Sequence, residues 1–292
     1  MSSQNFVSYG DAESLMSGVK IAIDSTVSAN HVIIDGVHSK MKYKKWSIKN
    51  WGETKPTAGS NIWTDGYNIY YSTGTSHYVL NKSTSTWSTK TWNGLTDFSG
   101  NNIWTDGDNI YYSYSTTHYV LDKNTSTWST KTWNGLSGFN GQYVWSDGDN
   151  IYYSFNNNYV LDKSTSTWST KSWNGLTILS GSNIWTDGDN IYYSYGTTQY
   201  VLKKSTSTWL TKTWNGITDF NAINIWTDGD NIYYSSTTSQ YILDKNTSTW
   251  STKTWNGMTS FYGSAIWTNG DNIYHSNGAQ QYILNNITII RT

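Results

Sequence analysis

The chain has 292 residues, a formal net charge of −1 and 16% aromatic residues. Its single arginine, Arg291, leaves no basic stripe to neutralise phosphates, so nucleic acid is not expected as a partner. The absence of cysteine excludes disulfides, thiolate metal sites and a cysteine nucleophile, and no apolar run is long enough to span a bilayer, so no membrane is expected.

Residues 1–42 form an amino-terminal arm. Met1 to Gly10 carries neither a basic nor an apolar signal region, and a chain without a secretion signal is expected. Asp11 can cap a short helix in which Leu15, Val19 and Ala22 or Ile23 make one apolar side, weakened by Gly18. Val32-Ile33-Ile34 reads as a strand turning at Asp35-Gly36. The arm has too little apolar content to fold alone, so it is expected to pack on the rest of the chain, to oligomerise or to anchor it.

Residues 43–292 repeat. Trp63, Trp104, Trp145, Trp185, Trp226 and Trp267 each open a block close to I-W-T-D-G-D-N-I-Y-Y-S, and a second marker, W-S-T-K-T-W, recurs from Trp46/Trp51 to Trp250/Trp255. A period of about 40 residues with several short β-rich segments indicates a β-propeller, one blade per repeat. In the second block, Ile103 to Thr105 and Ile110 to Ser113 flank the hairpin turn Asp106-Gly107-Asp108-Asn109. His118 to Asp122 and Thr127 to Trp133 follow, making four strands in all. Trp128 and Trp133, five residues apart, point to opposite sheet faces, so both faces must be covered, as they are between neighbouring blades. Lys90 and its counterparts between the paired tryptophans read as solvated charges guarding an outer edge.

The first W-x-x-K-x-W strand precedes the first I-W-T-D-G block, and the last block has no such strand after it. Pairing Tyr43 to Trp51 with the three strands of Ala265 to Leu284 therefore closes a six-bladed ring. Ile287 to Ile290 is a surplus apolar strand.

Tyr-Val-Leu-Asp-Lys-x-Thr-Ser-Thr-Trp, at Tyr119 to Trp128 and Tyr159 to Trp168, resembles the third-to-fourth strand signature of kelch-repeat propellers, although Trp-Thr-Asp-Gly stands where that family has a diglycine. The expectation is an all-β, six-bladed, kelch-like propeller with a short amino-terminal helical arm. The near-identity of the blades, with the opening Asn5 to Met16, also resembles virion structural proteins of bacteriophages. That resemblance implies a virion location, other virion proteins as partners through the arm, and a possible homo-oligomer.

Turns one and three barely vary between copies, whereas loops two and four do, and all of this variation falls on one face. His77, Tyr114, His118, Phe155, Asn157, Tyr195, Gln199, Gln240 and Gln281 sit at these variable positions, where aromatics can stack and amides can hydrogen-bond on a host-surface glycan or protein. Drift of unconstrained loops is the alternative. No cofactor or metal is expected: the Asp-Gly-Asp-Asn turns lack calcium-loop spacing, and glutamate occurs only at Glu13 and Glu53. A paired-acid glycosidase, an arginine-rich sialidase and a cysteine-dependent copper oxidase are thereby excluded. The expected function is non-enzymatic, a virion binding component, with a free multivalent lectin as alternative.

Overall fold

The computed structural model describes residues 21–23, 32–34, 40–51 and 61–290, apart from 137, 178, 219, 221–223, 237–238, 256–257, 259–265 and 278–279. Six four-stranded antiparallel sheets make a six-bladed β-propeller. The first blade comprises β4 (Ile62–Thr64), β5 (Ile69–Thr73), β6 (Ser76–Asn81) and β7 (Thr86–Thr89), in that spatial order. The next four repeat it as β8–β11 (103–130), β12–β15 (144–170), β16–β19 (184–212) and β20–β23 (225–252). The sixth is built from both chain ends: β24 (Ile266–Thr268), β25 (Ile273–Asn277), β26 (Gln280–Ile290) and then β3 (Lys40–Ile48). The expected ring closure is thus present, with Leu284 opposite Trp46 as Leu121 is opposite Trp128.

Each seam between blades is filled by three tryptophans drawn from two blades. Between blades one and two, Trp63, Trp92 and Trp128 lie with ring centroids 5.6 to 6.1 Å apart. The triads Trp226/Trp255/Trp46 and Trp267/Trp51/Trp87 close the ring with the same spacing. Trp128 and Trp133 therefore serve opposite seams, as their odd spacing requires. Tilted and edge-on aromatic contacts of this kind add to the large area each ring buries.

A backbone splice joins the same neighbours. After its fourth strand, each of blades one to four sends Trp-Asn-Gly along the fourth strand of the next: Trp128 N–H donates to Asn93 O (2.8 Å) and Asn93 N–H to Ser126 O (3.1 Å). Gly94 has φ +79°, and a Cβ there would lie 2.1 Å from Trp128 O, so only glycine fits. The outer edge is in this way paired with the neighbouring blade rather than guarded by charge. The lysines read as solvated edge charges are in fact half-buried clasps. Lys90 Nζ lies over the Trp92 ring (4.6 Å) and donates to Ser126 Oγ of the next blade (2.7 Å), and the arrangement recurs at Lys131, Lys171 and Lys212. Those serines hold φ of +50° to +55°, an uncommon backbone that aims the hydroxyl across the seam.

Within blades one to five the Asp before the glycine of turn one locks that turn. Asp106 Oδ1 accepts the N–H groups of Asp108 and Asn109, and Oδ2 accepts the Tyr111 hydroxyl at 2.9 Å. Burial alone would raise the Asp106 pKa, but these hydrogen bonds outweigh it and hold the carboxyl below its ordinary value. Asp65, Asp187 and Asp228 behave alike. The first carboxylate of the turn, for which no metal was expected, is therefore engaged inside the turn.

In the arm, β1 (Ile21–Ile23) pairs antiparallel with β2 (Val32–Ile34). Ala22 and Ile23, expected on a helix, are in a strand: β-branched Ile21 and Ile23 have a partner in Val32-Ile33-Ile34, and pairing outweighs the weak helical pattern. The remainder of the expected helix, and the leader Asn5 to Met16, lie outside the described residues.

Candidate binding face

The propeller has two unlike faces, and hydrogen bonds define them. Loop four meets the tip between strands two and three of its own blade, with Phe98 N–H donating to Gly74 O and Phe139 N–H to Ser115 O, both at 3.1 Å. Turns three and one meet on the other face: Lys163 Nζ donates to Asp106 O, and Lys245 Nζ to Asp187 O, each at 2.5 Å and each across a seam.

The sixth blade cannot repeat that latch, because its third and fourth strands come from opposite chain ends and no third turn joins them. Strands β26 and β3 instead continue past the place of that turn for five more pairs, from Asn286–Lys44 to Ile290–Lys40. Both chain ends therefore leave from the face of turns one and three. Lys44 takes over the latch by reaching the Asp228 carboxylate of blade five at 2.5 Å.

On the opposite face the variable residues divide. Tyr114, Phe155 and Tyr195 close strand two in blades two, three and four, and are 59%, 46% and 63% exposed. Their equivalents elsewhere are Thr73, Ser236 and Asn277, so the aromatics form an arc over three consecutive blades. Phe155 stacks on Tyr143 with centroids 4.5 Å apart. Asn157 is exposed at the start of β14 (Asn157–Asp162).

His77, His118, Gln199 and Gln281 are not at loop tips. They are buried inside strand three, and Gln240 is half-buried there. The hairpins are tighter than their polar composition suggests, so strand three begins one residue earlier and its second side chain turns inward. His77 stacks on Phe98 at 4.3 Å, and its Nε2 is 3.1 Å from Thr96 O. Burial lowers the His77 pKa, opposed by the Thr96 carbonyl and the Asp97 charge. His118 stacks likewise on Phe139, at 4.6 Å. The Gln240 amide donates to Ser236 O at 2.9 Å. His77 and His118 thereby brace loop four against the blade, whereas Gln240 ties down the hairpin tip.

The loop variation also hid two clefts at equivalent places on blades three and four. One, of about 460 Å³, lies among Asn156 to Tyr159, the Lys171–Trp173 pair and Leu176. The other, of about 350 Å³, lies among Thr197 to Gln199, the Lys212–Trp214 pair and Ile217. Only the placement of strand three beside the Trp-Asn-Gly tail creates them, and neither segment signals it alone.

No protein-family model matches the sequence, and no curated protein matches it. Among solved structures, the chain is similar to the extracellular domain of a hybrid two-component system from B. thetaiotaomicron, at 12% identity and a TM-score of 0.48. That alignment covers 76% of this chain and 33% of the other, so this chain spans about a third of its length.

Proposed function

We propose that this propeller is a non-enzymatic, two-sided binding protein: the face where the chain ends leave attaches it to a larger assembly, and the opposite face, carrying Tyr114, Phe155 and Tyr195, engages a partner surface. The observation that carries this reading is the separation of the two features, with the β3–β26 ribbon on one face and the exposed aromatic arc on the other. Exposed tyrosine and phenylalanine at equivalent tips supply contact area at low entropic cost. The buried first carboxylate of turn one is occupied by hydrogen bonds, which supports binding over catalysis.

The assembly we propose is a bacteriophage virion, on the resemblance of the near-identical blades and of Asn5 to Met16 to virion structural proteins, and the kelch-like strand signature belongs to the same reading. Electron cryomicroscopy of particles that carry the protein tests it. Density for the ribbon at a symmetric attachment point, with the aromatic arc outward, is the expected result; a protein free of particles would remove the virion assignment. A lectin-like reading is favoured by the repeated clefts on blades three and four, and a glycan array of the full chain tests it.

A further inference from the structure

We infer that the two equivalent clefts on blades three and four are sugar subsites, each taking one polyhydroxylated residue of a glycan. This rests on the binding-protein reading above, but on a site distinct from the aromatic arc.

The argument begins with an unmet hydrogen bond. Asn158 and Gln199 occupy the same position in strand three, are 9% and 6% exposed, and line the two clefts. Asn158 Oδ1 and Gln199 Nε2 have no hydrogen-bond partner among the described residues. A buried polar atom left without a partner costs about 1–3 kcal/mol, which a group entering either cleft would recover. A carbonyl oxygen needs a donor and an amide nitrogen needs an acceptor. A hydroxyl supplies either, and a sugar carries several hydroxyls on one ring.

The rest of the lining agrees. Threonine and serine hydroxyls, including Thr170, Ser172 and Thr211, alternate with an apolar floor of Trp173 and Leu176, or Trp214 and Ile217. Volumes of about 460 and 350 Å³ fall within the ~300–1,000 Å³ of small-ligand sites. The one charged group among the described lining residues of each, Lys171 or Lys212, already lies over its tryptophan and donates to a serine of the next blade. Blades one and two carry His77 and His118 at this position, each stacked on a phenylalanine. Two subsites on neighbouring blades, fixed by the repeat, would engage a branched or repeating glycan together and gain by avidity.

The test uses the full chain with methyl glycosides of glucose, galactose, mannose and N-acetylglucosamine, followed by saturation-transfer NMR and by titration of tryptophan fluorescence. Wild-type protein is expected to bind at least one glycoside at millimolar concentration. The double variant Asn158→Leu/Gln199→Leu should lose about tenfold or more in affinity, whereas the amide-preserving exchange Asn158→Gln/Gln199→Asn should stay within a few-fold. If the leucine variant fails to fold, Gln199→His decides for blade four, because the fold already carries histidine there in blades one and two, with Phe220 available for stacking. No transfer to any glycoside, or binding unchanged in the leucine variant, would overturn the assignment. Loss of binding in Tyr114→Ala/Phe155→Ala/Tyr195→Ala, with none in the leucine variant, would place the sugar on the arc, ending the cleft assignment while leaving the binding-protein reading intact.

Discussion

Five blades of this propeller are each cut from one stretch of chain, and the sixth is stitched from both ends. The two kinds share strand order, register and tryptophan triads, so the packing core does not depend on chain continuity. They differ where a turn should be. In blades three, four and five the third turn carries a lysine that latches onto the preceding blade's Asp carbonyl. In the closing blade that turn is missing, Lys44 bonds the Asp228 side chain instead, and a cavity of about 310 Å³ remains beside it. Turn one of this blade also carries Asn269 where four of the others have a pKa-lowered Asp. Closure thus keeps the apolar seam and replaces the polar latch, because burial of area is non-directional whereas a hydrogen bond needs its donor at one point.

The largest expected effect separates the seams by chain continuity. Trp46→Ala and Trp128→Ala should each cost about 3–5 kcal/mol by cavity formation, read from urea denaturation. Only Trp46→Ala weakens the contact that holds both ends, so it alone should broaden the transition; equal, sharp transitions in both would show the closing seam to be no weaker than the rest.

A backbone change sharpens the same comparison. Gly94→Ala meets Trp128 O and a positive φ together, and should cost more than the ~1–3 kcal/mol of a strained residue. Gly107→Ala has φ +96° but open space around it, so it should stay within that range. Thermal midpoints of the pair measure the splice against the turn.

Acid should distinguish the blades next. Asp106 has its folded pKa below the ordinary 3.8, so its contribution is complete above about pH 3.8 and is lost as pH falls through the lower folded value. Asp106→Asn, imitating Asn269 of blade six, should flatten the fall in stability below pH 4, and an unchanged acid slope would reject the turn-lock account. Tyr111 runs the other way: burial and Asp106 hold its hydroxyl above its ordinary value of 10.0, so its part is complete below pH 10 and is lost as pH rises beyond it.

The smallest effect concerns the latches. Lys44 is part-exposed, and Lys44→Met should cost about 1 kcal/mol and Lys163→Met less, since exposed pairs contribute ~0–1 kcal/mol. Added salt should narrow the difference.

The parts of this fold that were legible in the sequence share one cause. Trp128 and Trp133 are separated by an odd number of residues, so their opposite faces follow from the strand alone. The unmatched strand at Tyr43 to Trp51 likewise implies closure by counting. Lys90 was misread as an edge guard because its partner, Ser126, lies 36 residues away in the next blade. His77, His118 and Gln199 were misread as tips because polar residues near a hairpin look exposed until the hairpin's length is known. Of the candidate site, Tyr114, Phe155 and Tyr195 were correctly expected to be exposed, while the clefts beside Asn158 and Gln199 were not visible at all.

By itself, the sequence determined the six-fold repeat, the four strands of each blade and the ring closure, since these follow from periodicity and β-pairing that any window of the chain reveals. Only the tertiary structure decided which polar residues are buried, that the lysines bridge seams, and that the chain ends leave opposite the aromatic arc. Those features depend on contacts between blades, and no single repeat contains both partners.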